Sequence, residues 1–166
     1  METRIICLKN CMVWLMLAPF FLCSKCNKND ALPEYYFRCK IDRQDYRPNS
    51  CANCMTAQIL GDTVIMLQAN RDLEALTIGV IHKPSIQATS YLLNGDIGSR
   101  GTYKYSTTVN DRYFTNTTHT GVLLINSINK ENKIVSGTFY YKAYNSYNND
   151  SINITDGKFR LKYTDY

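Results

Sequence analysis

Between Val135 and Tyr163 apolar and polar residues alternate with a period of two, and the phase slips by one position at Asp156-Gly157. Val135, Gly137, Phe139, Tyr141 and Ala143 share one side; Ser136, Thr138, Tyr140 and Lys142 share the other. After the loop AYNSYNND the apolar positions are Ile152 and Ile154, and beyond the slip they are Phe159, Leu161 and Tyr163. A period of two belongs to a strand with one buried face. One extra residue at a glycine is what a β-bulge supplies, and it keeps both halves of the strand on one core. Upstream, Gly121 to Ile125 (GVLLI) is an apolar run compatible with a strand covered on both faces. With Asn129 to Lys133 as a polar turn, residues 121–163 predict three consecutive antiparallel strands.

The rest of the chain can accommodate that pattern only as more strands. Tyr36 to Asp42 (YFRCKID) alternates, with Phe37, Cys39 and Ile41 on one face. A turn, a short return at Tyr46 and a stop at Pro48 follow. MTAQIL, Thr63 to Ala69, Leu76 to His82, Ser85 to Leu93 and Thr102 to Thr107 read as further strands. No helical period of useful length appears after Pro33, and no repeat of 20–50 residues is visible. Thirteen Tyr against eight Gly and four Pro also favour strands. The expected fold is all-β: an antiparallel β-sandwich or partly open β-barrel of eight to ten strands, spanning residues 35–166.

The first 34 residues concern address. Arg4 and Lys9 precede Cys11 to Leu22, an apolar run that suits a signal peptide and is short of the roughly 20 residues of a spanning helix. Residues 1–22 are therefore expected to be a signal peptide and 23–34 a tether. The CSKCNKND that follows resembles a bacterial lipoprotein junction, with Cys23 as the lipid attachment site and Cys26 as the alternative. Leu22 stands where such junctions carry a small residue, and Lys25 precedes Cys26.

GVLLINSINKENKIVSGTFYYKA followed by ITDGKFRLKY resembles the C-terminal signature of a domain of unknown function in small envelope lipoproteins of the Bacteroidetes type. FRCKIDRQDYRP is similar to that family's opening strand and turn. The resemblance implies a lipid-anchored antiparallel β domain and supplies no activity and no catalytic residues.

The net charge of +5 comes from 19 basic and 14 acidic residues with no run of one sign. Nucleic-acid binding, which calls for a basic stripe or a known motif, is not expected. Cys39, Cys51 and Cys54 are candidates for a disulfide or a metal site. In an oxidising envelope a disulfide is the simpler reading of CANC, while Cys39 can also be a buried thiol. His82 and His119 lie far apart with no nucleophile motif beside either, so no catalytic set is assigned. Tyr140, Tyr141, Tyr144 and Tyr147 form a candidate ligand-contact patch, with cross-strand aromatic packing as the alternative.

The expected function is that of an envelope-anchored, non-catalytic binding or structural lipoprotein without a cofactor. Its partners would be the membrane, through the lipid, and an envelope protein or glycan. A metal or thiol module centred on CANC and a small-ligand carrier are the alternatives.

Overall fold

The structure, a computed structural model, describes residues 33–166 apart from residue 97. The expected signal peptide, most of the tether, Cys23 and Cys26 lie outside the described residues. Eleven strands follow in chain order. They are β1 (Tyr36–Ile41), β2 (Gln44–Tyr46), β3 (Met55–Leu60), β4 (Val64–Arg71), β5 (Glu74–Ile81), β6 (Ser90–Leu93), β7 (Ser99–Lys104), β8 (Arg112–Phe114), β9 (Gly121–Asn129), β10 (Ile134–Asn145) and β11 (Asp150–Asp165). The all-β expectation holds, and the last three strands are the antiparallel meander read from residues 121–163.

The strands form one mixed sheet that folds into two halves. One half runs β2-β1-β11-β10-β9-β6 and the other β3-β4-β5-β7-β8, each antiparallel throughout. Two thin seams join them. Tyr163, Thr164 and Asp165 of β11 pair parallel with Ala57, Gln58 and Ile59 of β3, and Tyr144 of β10 pairs with Phe114 of β8. The parallel seam departs from the purely antiparallel expectation. It arises because β11 runs on for sixteen residues, past the end of its pairing with β1.

The core lies between the halves. Ile65, Leu67, Leu76 and Ile78 from one side meet Leu123, Phe139, Ile154, Phe159 and Leu161 from the other, all buried. Two buried hydroxyls cross it: Tyr141 donates to the Thr102 carbonyl at 2.8 Å, and Tyr46 donates to the Ala69 carbonyl at 2.9 Å. Gly101 makes room for Tyr141, whose ring would sit 3.0 Å from a Cβ there. Among the described residues no buried side-chain nitrogen or oxygen lacks a partner, as a folded interior requires. Every residue of this core lies between Phe37 and Tyr163, so residues 33–166 carry what an independently folding unit needs.

The bulge sits where the phase slip places it. Phe139 pairs with Gly157 and Tyr141 with Ile154, so β11 carries one extra residue opposite β10, and opposite β1 as well. Ile152, Ile154, Phe159, Leu161 and Tyr163 all face the core as a result. The division of labour within the bulge is informative. Asp156 takes the left-handed backbone (φ 55°), a conformation Asp tolerates. Gly157 is needed for space, since a Cβ would fall 2.4 Å from the Phe139 carbonyl oxygen.

Three details differ from the expectation. β9 is covered on one face only, with Leu124 facing outward, and a second bulge after Ile125 turns Ile128 toward the core. The strand expected over Ser85 to Leu93 is confined to Ser90–Leu93, because Tyr91 bonds both backbone groups of Gln87 and folds that segment back. The three-residue strand β8 carries too little alternation to be read from sequence.

Candidate functional site

The outer face of the six-stranded half is strongly cationic. Alternation with buried neighbours turns Arg38 and Lys40 of β1, Lys142 of β10, and Lys158, Arg160 and Lys162 of β11 outward. Asp156, held in the bulge, pairs with Lys40 at 3.0 Å, and Asp45 of β2 lies opposite Lys40 on the same face. Among the described residues, Arg38, Lys142, Lys158, Arg160 and Lys162 have no carboxylate within ion-pair distance.

Register sharpens the point. Arg38 lies directly opposite Lys158, and Tyr36 lies opposite Arg160. Like charges facing each other across two strands destabilise a sheet, typically by a few tenths to 1 kcal/mol. A fold selected for stability alone gains nothing from that pair.

Beside it, Arg38, Lys40, Arg47 and Lys158 line a cleft of about 280 Å³ with Asp45 and Asp156. Four cations face two carboxylates there, so an anionic group meets a net attraction. Cys39 lies at the cleft floor. Burial pushes its thiol up to about 12 against the opposing pull of the Arg71 charge, which makes it a poor nucleophile.

A polar cluster closes the same end of the core. Arg71 donates to Glu74, which also accepts from the Tyr103 hydroxyl at 2.7 Å, and the guanidinium lies 4.6 Å over the Tyr46 ring. Burial raises the Glu74 carboxyl, but hydrogen bonds from Arg71 and Tyr103 with the Arg71 charge outweigh it, leaving the group below its ordinary value. The remaining donors reach nearby backbone, Arg71 to the Asp45 carbonyl at 3.1 Å and Tyr46 to the Ala69 carbonyl, so the cluster serves the fold.

The residues singled out from sequence separate. Cys51 and Cys54 are joined in a disulfide, with Cα atoms 5.1 Å apart, and the loop is pinned to β4 through Asn70. Cys39 stands apart as a buried free thiol, so the three cysteines do not converge. Among the described residues no group of three metal-ligating side chains gathers.

The tyrosines do not form one patch. Tyr141 is 2% exposed and belongs to the core, because its neighbour Tyr140 takes the outer side. Tyr144 stacks on His119 at 4.9 Å, and Tyr147 stands in the following loop. His82 meets Tyr91 edge-on at 5.3 Å, and His119 is tied to Asn116 and Thr118. His119 sits against Tyr144, two residues along β10 from Lys142, whose amide donates to the Thr120 carbonyl at 3.0 Å.

Sequence reading missed that face because no run of like charge exists. The signal is there in another form: Arg38-x-Lys40 and Lys158-x-Arg160-x-Lys162 are basic residues spaced by two, on the polar side of two predicted strands. Only the β1–β11 pairing brings the two sets together.

Residues 35–161 match the family described as a domain of unknown function (DUF6252), and the chain belongs to it. No curated protein and no solved structure matches the chain.

Proposed function

Starting from that membership, we propose that the chain is a small envelope lipoprotein of the Bacteroidetes type. Cys23 carries the lipid, and the β domain is a non-catalytic module that holds an anionic ligand on the outer face of its six-stranded half. The observation behind the binding role is the charge of that face: six cations, Arg38, Lys40, Lys142, Lys158, Arg160 and Lys162, against Asp156 and Asp45. Charge gathered on one side raises the local concentration of an oppositely charged partner and speeds its capture. The signal-like residues 1–22 and the cysteine that follows support the tether.

Two measurements test the reading. Labelling cells with a radioactive fatty acid should mark the full chain and fail to mark Cys23→Ser; label retained by that variant counts against the attachment site. Residues 33–166 should be held on a heparin column and released by salt, and Lys158→Glu with Arg160→Glu should flow through. Equal retention of that variant would remove the binding role from this face.

A further inference from the structure

The cationic strip does not stand alone on its face. Leu92 of β6 is 56% exposed, Leu124 of β9 is 40% exposed and Tyr140 of β10 is 57% exposed. All three point to the same side as the basic residues, and the register sets them beside one another. One row across the strands reads Ser90, Leu124, Thr138, Lys158, Arg38; the row beside it brings Leu92 and Val122 to Tyr140. Apolar and aromatic side chains therefore share this face with the cations: Tyr140 stands two residues from Lys142 on β10, and Thr138 lies between Leu124 and Lys158.

We infer that this face docks flat on an anionic lipid surface, its cations on the headgroups and Leu92, Leu124 and Tyr140 in the interfacial layer. This rests on the anionic-ligand reading above and names the ligand. A free polyanion would use the cations and leave the leucines in water. A bilayer uses both, because basic residues meet anionic headgroups while leucine and tyrosine favour the boundary between headgroup and chain.

The start of the domain points the same way. Arg160 donates through Nε to the Glu34 carbonyl at 3.1 Å, so the chain enters the domain against the cationic face. From Cys23 to Glu34 the sequence offers about a dozen residues, which can span at most about 40 Å. A tether of that length holds the face near the bilayer at high effective concentration, so modest intrinsic affinity suffices.

The test uses residues 33–166, without the lipid, and sedimentation with vesicles of phosphatidylcholine alone or mixed three to one with phosphatidylglycerol. The domain should sediment with the mixed vesicles and stay in solution with the neutral ones. Each cation removed is expected to lower partition about fivefold, so Lys158→Glu with Arg160→Glu should abolish sedimentation. Leu92→Ser with Leu124→Ser should lower partition several-fold yet keep heparin retention, because both residues lie on the surface and carry no charge. Unchanged partition in that variant overturns the inference, since charge alone would then suffice. Heparin retention without vesicle binding overturns the membrane docking and spares the anionic-ligand reading; loss of both removes the two together.

Discussion

Two outward strips of this domain, one over β3 to β5 and one over β1, β10 and β11, are built by the same rule and differ in charge. From β3 through β5 the outward residues are Thr56, Gln58, Leu60, Val64, Met66, Gln68, Asn70, Ala75, Thr77, Gly79 and Ile81, none of them ionisable. Across the core, β1, β10 and β11 turn six cations outward. Both faces alternate with inward residues that fill one continuous core. The β3 to β5 strip shows that the fold does not require outward charge there, although β7 and β8 of the same half turn Arg100, Lys104 and Arg112 outward, and the Arg38–Lys158 juxtaposition shows that the charged strip carries a small cost. The difference therefore belongs to what the face meets rather than to how the chain folds.

The strongest attempt to break the comparison holds net charge equal. Lys158→Glu with Arg160→Glu changes the charge by four units, as does installing Glu at Thr56, Gln58, Gln68 and Thr77. The first variant should lose heparin retention, and the second should keep most of it; equal losses would mean that overall charge, not the face, governs binding. A second attempt targets the device that keeps β11 in phase on both sides. Gly157→Ala would drive a Cβ into Phe139 and should cost about 2–3 kcal/mol in urea unfolding. A cost near zero would mean that the bulge does not need its glycine.

The acid side of stability separates the closing cluster from the exposed charges. Glu74 lies below its ordinary value of 4.5 in the folded state, so its contribution is present above that value and is lost as pH falls through the folded one. Glu74→Gln should flatten the melting temperature against pH below about 4.5. The smallest expected effect concerns Cys39: with its thiol raised to about 12, residues 33–166 should react negligibly with Ellman's reagent at pH 8 when native. One thiol per chain should appear on denaturation. Rapid native reaction would place Cys39 at an accessible cleft wall.

The fold was readable to the extent that it rests on local alternation. β10 and β11 announce their faces and their bulge, because each buried position is two residues from the last. The β3–β11 seam was not readable, since three parallel pairs formed between segments about a hundred residues apart leave no periodic trace. For the site, adjacency in sequence misled: Tyr140 and Tyr141 are neighbours in the chain and face opposite ways. The cationic face was written in two alternating segments, Arg38 to Lys40 and Lys158 to Lys162, whose union depends on long-range pairing. CANC was the exception, because four residues alone bring its thiols within bonding reach.

The most direct test of the central claim is to titrate isotope-labelled residues 33–166 with a short heparin fragment and map the amide shifts by NMR. The account predicts shifts gathered on Arg38, Lys40, Lys142, Lys158, Arg160 and Lys162 and fading with added salt. Shifts centred on β3 to β5, or spread evenly over both faces, would contradict it.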